Sequence, residues 1–209
     1  MTRSLGLALA AAGTTLLGAT LIGVGAAQAQ VDWRRIHLSD ESTLDIPAVV
    51  GDEYKVPAEL AQKGDLMFFT VMSGPAGELD CLLRRTLYGH GLPDAPTRQD
   101  MFKTLDSKED RLGLCAGRGD NEHQAVNDGG SLKGYPSGRC VVGYTATGQD
   151  AAAGPGTGRV VDSVTVAAPG GYYTLGCTLH AADQRTAERE WFNDWRRLIE
   201  HMQGSLLVP

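Results

Sequence analysis

Five histidines, His37, His90, His123, His180 and His201, are the chain's candidates for proton transfer near neutral pH, and they lie far apart in sequence. His180 is the best placed. It ends an alternating strand pattern on the polar side, just before a helical stretch, and sites gather at the ends of rigid strands. A solvated or helix-capping imidazole explains the same position and is the first expectation. Asp162 is a second oddity, because it shares a strand face with Val160, Val164 and Val166, where an unpaired carboxylate is costly. Arg84, Arg85 or Arg139 on a neighbouring strand could neutralise it, so an ion pair is expected there before catalysis. A third cluster is Arg118-Gly119-Asp120-Asn121-Glu122-His123, with Asn127 and Asp128 further on. Calcium favours such oxygen donors, but the spacing is not that of an EF-hand loop, and an acidic Gly-rich segment is ordinarily just solvated. The Arg-Gly-Asp tripeptide within it is short enough to arise by chance. Asp120, Glu122, His123 and His180 are therefore the surface-site candidates.

Other chemistries fail on spacing. No Gly-x-Ser-x-Gly occurs, and Gly129-Gly130-Ser131-Leu132 lacks the closing glycine of a nucleophile elbow. No His-Glu-x-x-His is present, and Gly154-Pro155-Gly156-Thr157-Gly158-Arg159 has neither the lysine nor the following helix of a phosphate loop. The sequence thus assigns no catalytic, metal or cofactor residues, and no cofactor is expected. The four cysteines, Cys81, Cys115, Cys140 and Cys177, come no closer than 25 residues, which excludes a C-x-x-C zinc site.

The cysteines' setting comes from the N-terminus. Arg3 precedes a long uncharged run of small and apolar residues that ends in Ala27-Gln28-Ala29, the pattern of a cleavable export signal. Residues 1–29 are expected to be removed, leaving residues 30–209 as one domain in the periplasm or outside the cell. No cysteine follows the run to carry a lipid, and no second apolar stretch could span a membrane. In an oxidising compartment four cysteines predict two disulfides. Cleavage removes one basic and no acidic residue, so 18 Lys and Arg face 25 Asp and Glu. That surface argues against nucleic acid as a partner.

Strand patterns dominate what must position these side chains. Residues 66–72 form an apolar run, and residues 79–88, 139–145 and 171–180 alternate. Residues 159–167 join the last of these through Pro169-Gly170-Gly171, a hairpin composition. Cys81, Cys140 and Cys177 share faces with apolar neighbours and are expected to point into one core. The strand at 159–167 separates Cys140 from Cys177 beyond the ~7 Å between Cα atoms that a disulfide spans, so pairings that do not join Cys140 to Cys177 are expected. Residues 117–138 and 148–158 read as Gly-rich loops on the sheet. A first helix is expected from Thr97 to about Leu105. A second, from Asp183 to Gln203, carries Ala187, Trp191, Trp195, Leu198, Ile199 and Met202 on one stripe, with Asp183 as N-cap and Gly204 as stop.

A mostly antiparallel sheet covered by two helices, one of them a long C-terminal amphipathic helix, is an α+β domain. The order of Gly134-Tyr135-Pro136-Ser137-Gly138-Arg139, the strand to Tyr144, the strand at 159–167 and Tyr172-Tyr173-Thr174-Leu175 before the closing helix resembles the Mog1/PsbP-like superfamily, as found in actinobacterial cell-envelope lipoproteins. Thr43-Leu44-Asp45-Ile46-Pro47-Ala48 is similar to its opening strand. The lipid-attachment cysteine of those lipoproteins is missing here. The resemblance implies binding and assembly roles and transfers no catalytic residue. The expected function is a non-catalytic binding or assembly module of the cell envelope, with another envelope protein as partner. The alternative is a hydrolase that uses dispersed His, Asp and Glu residues.

Overall fold

In a computed structural model, residues 31–51, 53–55, 64–72, 78–87, 99, 120–149 and 156–209 are described. A short hairpin of β1 (Trp33–His37) and β2 (Thr43–Pro47) comes first, followed by β3 (Glu53–Lys55), β4 (Asp65–Met72) and β5 (Glu78–Thr86). Four longer strands complete the sheet: β6 (Asp120–Leu132), β7 (Tyr135–Thr145), β8 (Gly158–Ala168) and β9 (Gly171–Ala181). Strands β3 to β9 make one antiparallel sheet in the order β3-β4-β5-β9-β8-β7-β6. Its second half is a plain meander closed by two tight turns. At Pro169–Gly170 proline presets the first turn position and Gly170, at φ 89, supplies the left-handed second one. Strand β8 is buried along its whole length, as its run of valines and its place inside the sheet require.

One C-terminal helix, α1, lies on the sheet. It runs through Gln184–Glu190, a π-helical turn at Trp191–Trp195 and Arg196–Ser205. Asp183 caps it as expected, accepting a hydrogen bond from the Thr186 amide at 2.9 Å. The helix continues through Gly204 to Ser205, whose hydroxyl donates to the Met202 carbonyl while accepting from the Asp45 amide. The tail then adds to the small hairpin, with Leu207 and Thr43 exchanging two backbone hydrogen bonds of 2.9 Å. The expected helix at 97–105 lies outside the described residues apart from Gln99, which is helical.

The core lies between the helix and the sheet. Ala187, Trp191, Trp195, Ile199 and Met202 meet Leu79, Leu83, Val141, Val164, Leu175 and Leu179. Burial of this stripe, at about 25 cal/mol per Å² of apolar surface, helps hold the helix on the sheet. Two expectations are corrected. Cys140 does not share the core of Cys81 and Cys177; it packs with Val142, Tyr144, Ala146 and Val161 in a separate cluster. Both faces of β7 are buried, so alternation in sequence could not say which face met the helix. The expected loop at 117–138 is also corrected where it is described: 120–132 form β6, an edge strand whose polar residues suit its exposure.

Candidate functional site

Asp162 is fully buried in the middle of the sheet face that the helix covers. Arg139, next to it on β7, donates through Nε to Oδ1 at 3.1 Å and through a terminal nitrogen to Oδ2 at 2.7 Å. From the helix, Trp191 Nε1 donates to Oδ2 at 3.0 Å and Gln203 Nε2 to Oδ1 at 2.9 Å. Each carboxylate oxygen therefore accepts two hydrogen bonds, which fills its acceptor positions. Arg139 also reaches Glu200 at 2.9 Å, and Arg196 reaches the same oxygen at 2.8 Å, carrying the network to the surface. Burial alone would lower the Arg139 pKa, but its bonds to Asp162 and Glu200 prevail and raise it. Of the three arginines the sequence offers Asp162, Arg139 is the partner. The arrangement ties sheet to helix and leaves the carboxylate no free acceptor position to work with.

On the opposite face a second chain of polar groups crosses three strands. Thr70 on β4 donates to Asp80 Oδ1 on β5 at 2.8 Å, and Asp80 Oδ2 lies 3.2 Å from His180 Nε2 on β9. His180 is buried, as are Tyr172 and Thr165 on the same face, so the expected solvated or capping imidazole is corrected. Its polar strand neighbours suggested an exposed face that the fold does not have there. The Asp80–His180 contact joins two strands, and Asp80 carried no signal in the sequence beyond its polar position.

The remaining candidates lie on β6. Asp120, Glu122 and His123 are exposed on this edge strand. His123 Nδ1 is 3.5 Å from Glu188 Oε1 on the helix, and Gln184 Nε2 donates to both the Asn121 carbonyl and Glu188. The register of β6 on β7 shifts between Asp120 and His123 and again between Gln124 and Val126, so the first half of the strand is bulged toward the helix. No group of three or more metal-ligating side chains comes together among the described residues. His37 is exposed at the end of β1, His201 stacks on Trp33 with ring centroids 3.8 Å apart, and His90 lies outside the described residues.

Two clefts of about 380 Å³ open elsewhere. One runs between the β1–β2 hairpin and the helix beside Val49, Trp195 and Leu198. The other holds Arg35, Asp45, Lys133 and His201, with Arg35 and Asp45 already paired at 2.7 Å. Neither includes His180 or His123.

Cys81 and Cys177 form a disulfide between β5 and β9. Cys140 is disulfide-bonded as well, and Cys115 lies outside the described residues. No helix among the described residues is long and apolar enough to cross a membrane.

No protein-family model matches the chain, and no curated protein matches it. Several solved structures are similar to it. A cyanobacterial PsbP from Synechocystis is 13% identical, with 90% of this chain and 99% of that one covered and a TM-score of 0.49. LpqN, involved in cell envelope biogenesis of Mycobacterium tuberculosis, is 15% identical over 86% of this chain and 92% of its own, with a TM-score of 0.46. Mog1 is 9% identical over 85% and 96%, with a TM-score of 0.47. The likeness is one of fold.

Proposed function

We propose that residues 30–209 are an exported module that acts by binding another protein of the cell envelope. The observation that carries this reading is the state of Asp162. The buried Asp162 carboxylate accepts four hydrogen bonds from Arg139, Trp191 and Gln203 and serves to lock the helix to the sheet. What the rigid sheet offers outward is the polar strand β6. The Cys81–Cys177 bridge supports an oxidising compartment, in keeping with removal of the first 29 residues. Intact mass of the exported protein checks that step: it should begin at Gln30, free or cyclised to pyroglutamate, and a mass retaining residues 1–29 refutes it.

Crosslinking in the native envelope tests the function. A reproducible protein adduct is expected, and turnover of an ester, peptide or glycan by the purified protein would overturn the reading. The hydrolase alternative draws on one observation, the Thr70–Asp80–His180 chain, in which a carboxylate orients an imidazole. If it is right, His180→Gln abolishes a measured turnover while the protein still folds.

A further inference from the structure

Among the described residues strand β6 is one edge of the seven-stranded sheet, and its two halves differ. The first half is bulged and tied to the helix through Asn121 and His123. The second half, residues 127–132, pairs with β7 in unbroken register. The turn that follows has Lys133 at φ 51 and Gly134 at φ 90, a type I′ pair. Such a two-residue turn makes Leu132 and Tyr135 a hydrogen-bonded pair, and pairs alternate from there. Asn127, Gly129 and Ser131 therefore turn their N–H and C=O groups away from β7. At Gly129 and Gly130 no side chain shields the backbone, and a Cβ built on Gly129 would meet no atom within 4 Å. Natural sheets usually blunt such an edge with bulges or charge, and here the bulges lie in the first half, leaving Asp128 as the one charge in the second.

The charge of the strand selects an occupant. β6 carries Asp120, Glu122 and Asp128 and no lysine or arginine. A second copy would bring the same strand, which has no lysine or arginine to meet Asp128. We infer that residues 127–132 are a docking edge that accepts one extended segment of a partner protein, bearing lysine or arginine, as an eighth strand. The inference rests on the reading of this chain as a binding module and names its surface.

The test titrates the exported chain with a labelled peptide that alternates lysine with valine, beside a counterpart with glutamate for lysine. The basic peptide should bind saturably, more weakly above ~0.15 M salt, and protect the Gly129 and Ser131 amides from exchange. Gly129→Pro removes one outward N–H at a solvent-side position where a strand tolerates proline, and should weaken binding about tenfold or more. Gly129→Ala, which keeps the N–H, should bind as the parent does. If Gly129→Pro loses its melting transition, Ser131→Pro asks the same question one outward position along. Binding unchanged by both prolines, equal binding of the two peptides, no saturable binding, or a concentration-dependent dimer through β6 each overturns the inference. If the edge fails here while envelope crosslinking still yields a partner, the binding reading stands and only its surface is wrong. If neither gives a partner, the reading itself falls.

Discussion

Cys81 and Cys177 stand directly opposite each other on the adjacent strands β5 and β9, with Cα atoms 4.1 Å apart and a disulfide between them. They are 96 residues apart in sequence, so the bridge closes a long loop and ties the first half of the sheet to its closing hairpin. Loop-closure entropy for such a separation predicts a stabilisation of about 4–5 kcal/mol. The Cys81→Ala, Cys177→Ala double variant should lose stability on that scale in denaturant melts. An oxidised protein that unfolds no later than its reduced form would contradict this. Non-reducing peptide mapping should recover Cys81 with Cys177, and with these two joined Cys115 is the cysteine left for Cys140.

Trp191 is expected to act mainly through its ring nitrogen. Trp191→Phe keeps most of the packing but removes one donor to the buried Asp162, costing about 1.5–3 kcal/mol, the range for a bond to a charged group. The adjacent Phe192 is 62% exposed, and Phe192→Ala should change stability by less than about 0.5 kcal/mol. Equal effects in urea titrations would show that the network does not carry the helix.

Acid should destabilise the fold. Asp45 titrates below the usual range because it accepts hydrogen bonds from Arg35, and Asp183 because it accepts from Thr186. At Glu200 burial works the other way, but the bonds from Arg196 and Arg139 prevail and lower it too. With folded values below unfolded ones, the unfolded chain binds more protons as pH falls, so the stability these groups contribute is lost through that window. Glu190 runs the other way, since burial raises it. The denaturation midpoint should fall as pH drops below ~4. Glu190→Gln should raise it at neutral pH and leave it unchanged at about pH 3, below the unfolded carboxyl pKa. A midpoint flat across this range would contradict the assignment.

Lys133 holds a left-handed conformation, φ 51, at the first position of the β6–β7 turn. Asparagine suits that position better, so Lys133→Asn should stabilise by about 0.4–1 kcal/mol. A thermal melt shifted downward would show that the lysine side chain has another role in the cleft it lines.

The strands that alternate cleanly in sequence, 79–88 and 171–180, form β5 and β9 nearly as expected, because one face of each meets the helix. The Asp183 cap and the stripe from Ala187 to Met202 were likewise legible, since capping and helical periodicity are local. Asp162 announced itself as a carboxylate among valines, yet only the register Val141 to Asp162 and Arg139 to Val164 shows which arginine answers it. His180 misled because the face opposite the helix is buried around it, a property of packing that alternation does not carry. β6 was hidden for the opposite reason. An edge strand with Asn, Asp and two glycines looks like a loop until its neighbour supplies the pairing. The disulfide partner of Cys177 lay on a strand that sequence order placed far away.

Binding at the β6 edge is tested most directly by position-resolved photocrosslinking in intact cells. A photoreactive residue at Ser131 on β6 is compared with one at Lys55 on β3, the opposite edge of the sheet. A discrete protein adduct is expected from position 131, none from position 55, and the adduct should be lost when Gly129→Pro is added. No adduct from position 131 in cells that export the folded protein, or equal adducts from both edges, would contradict it.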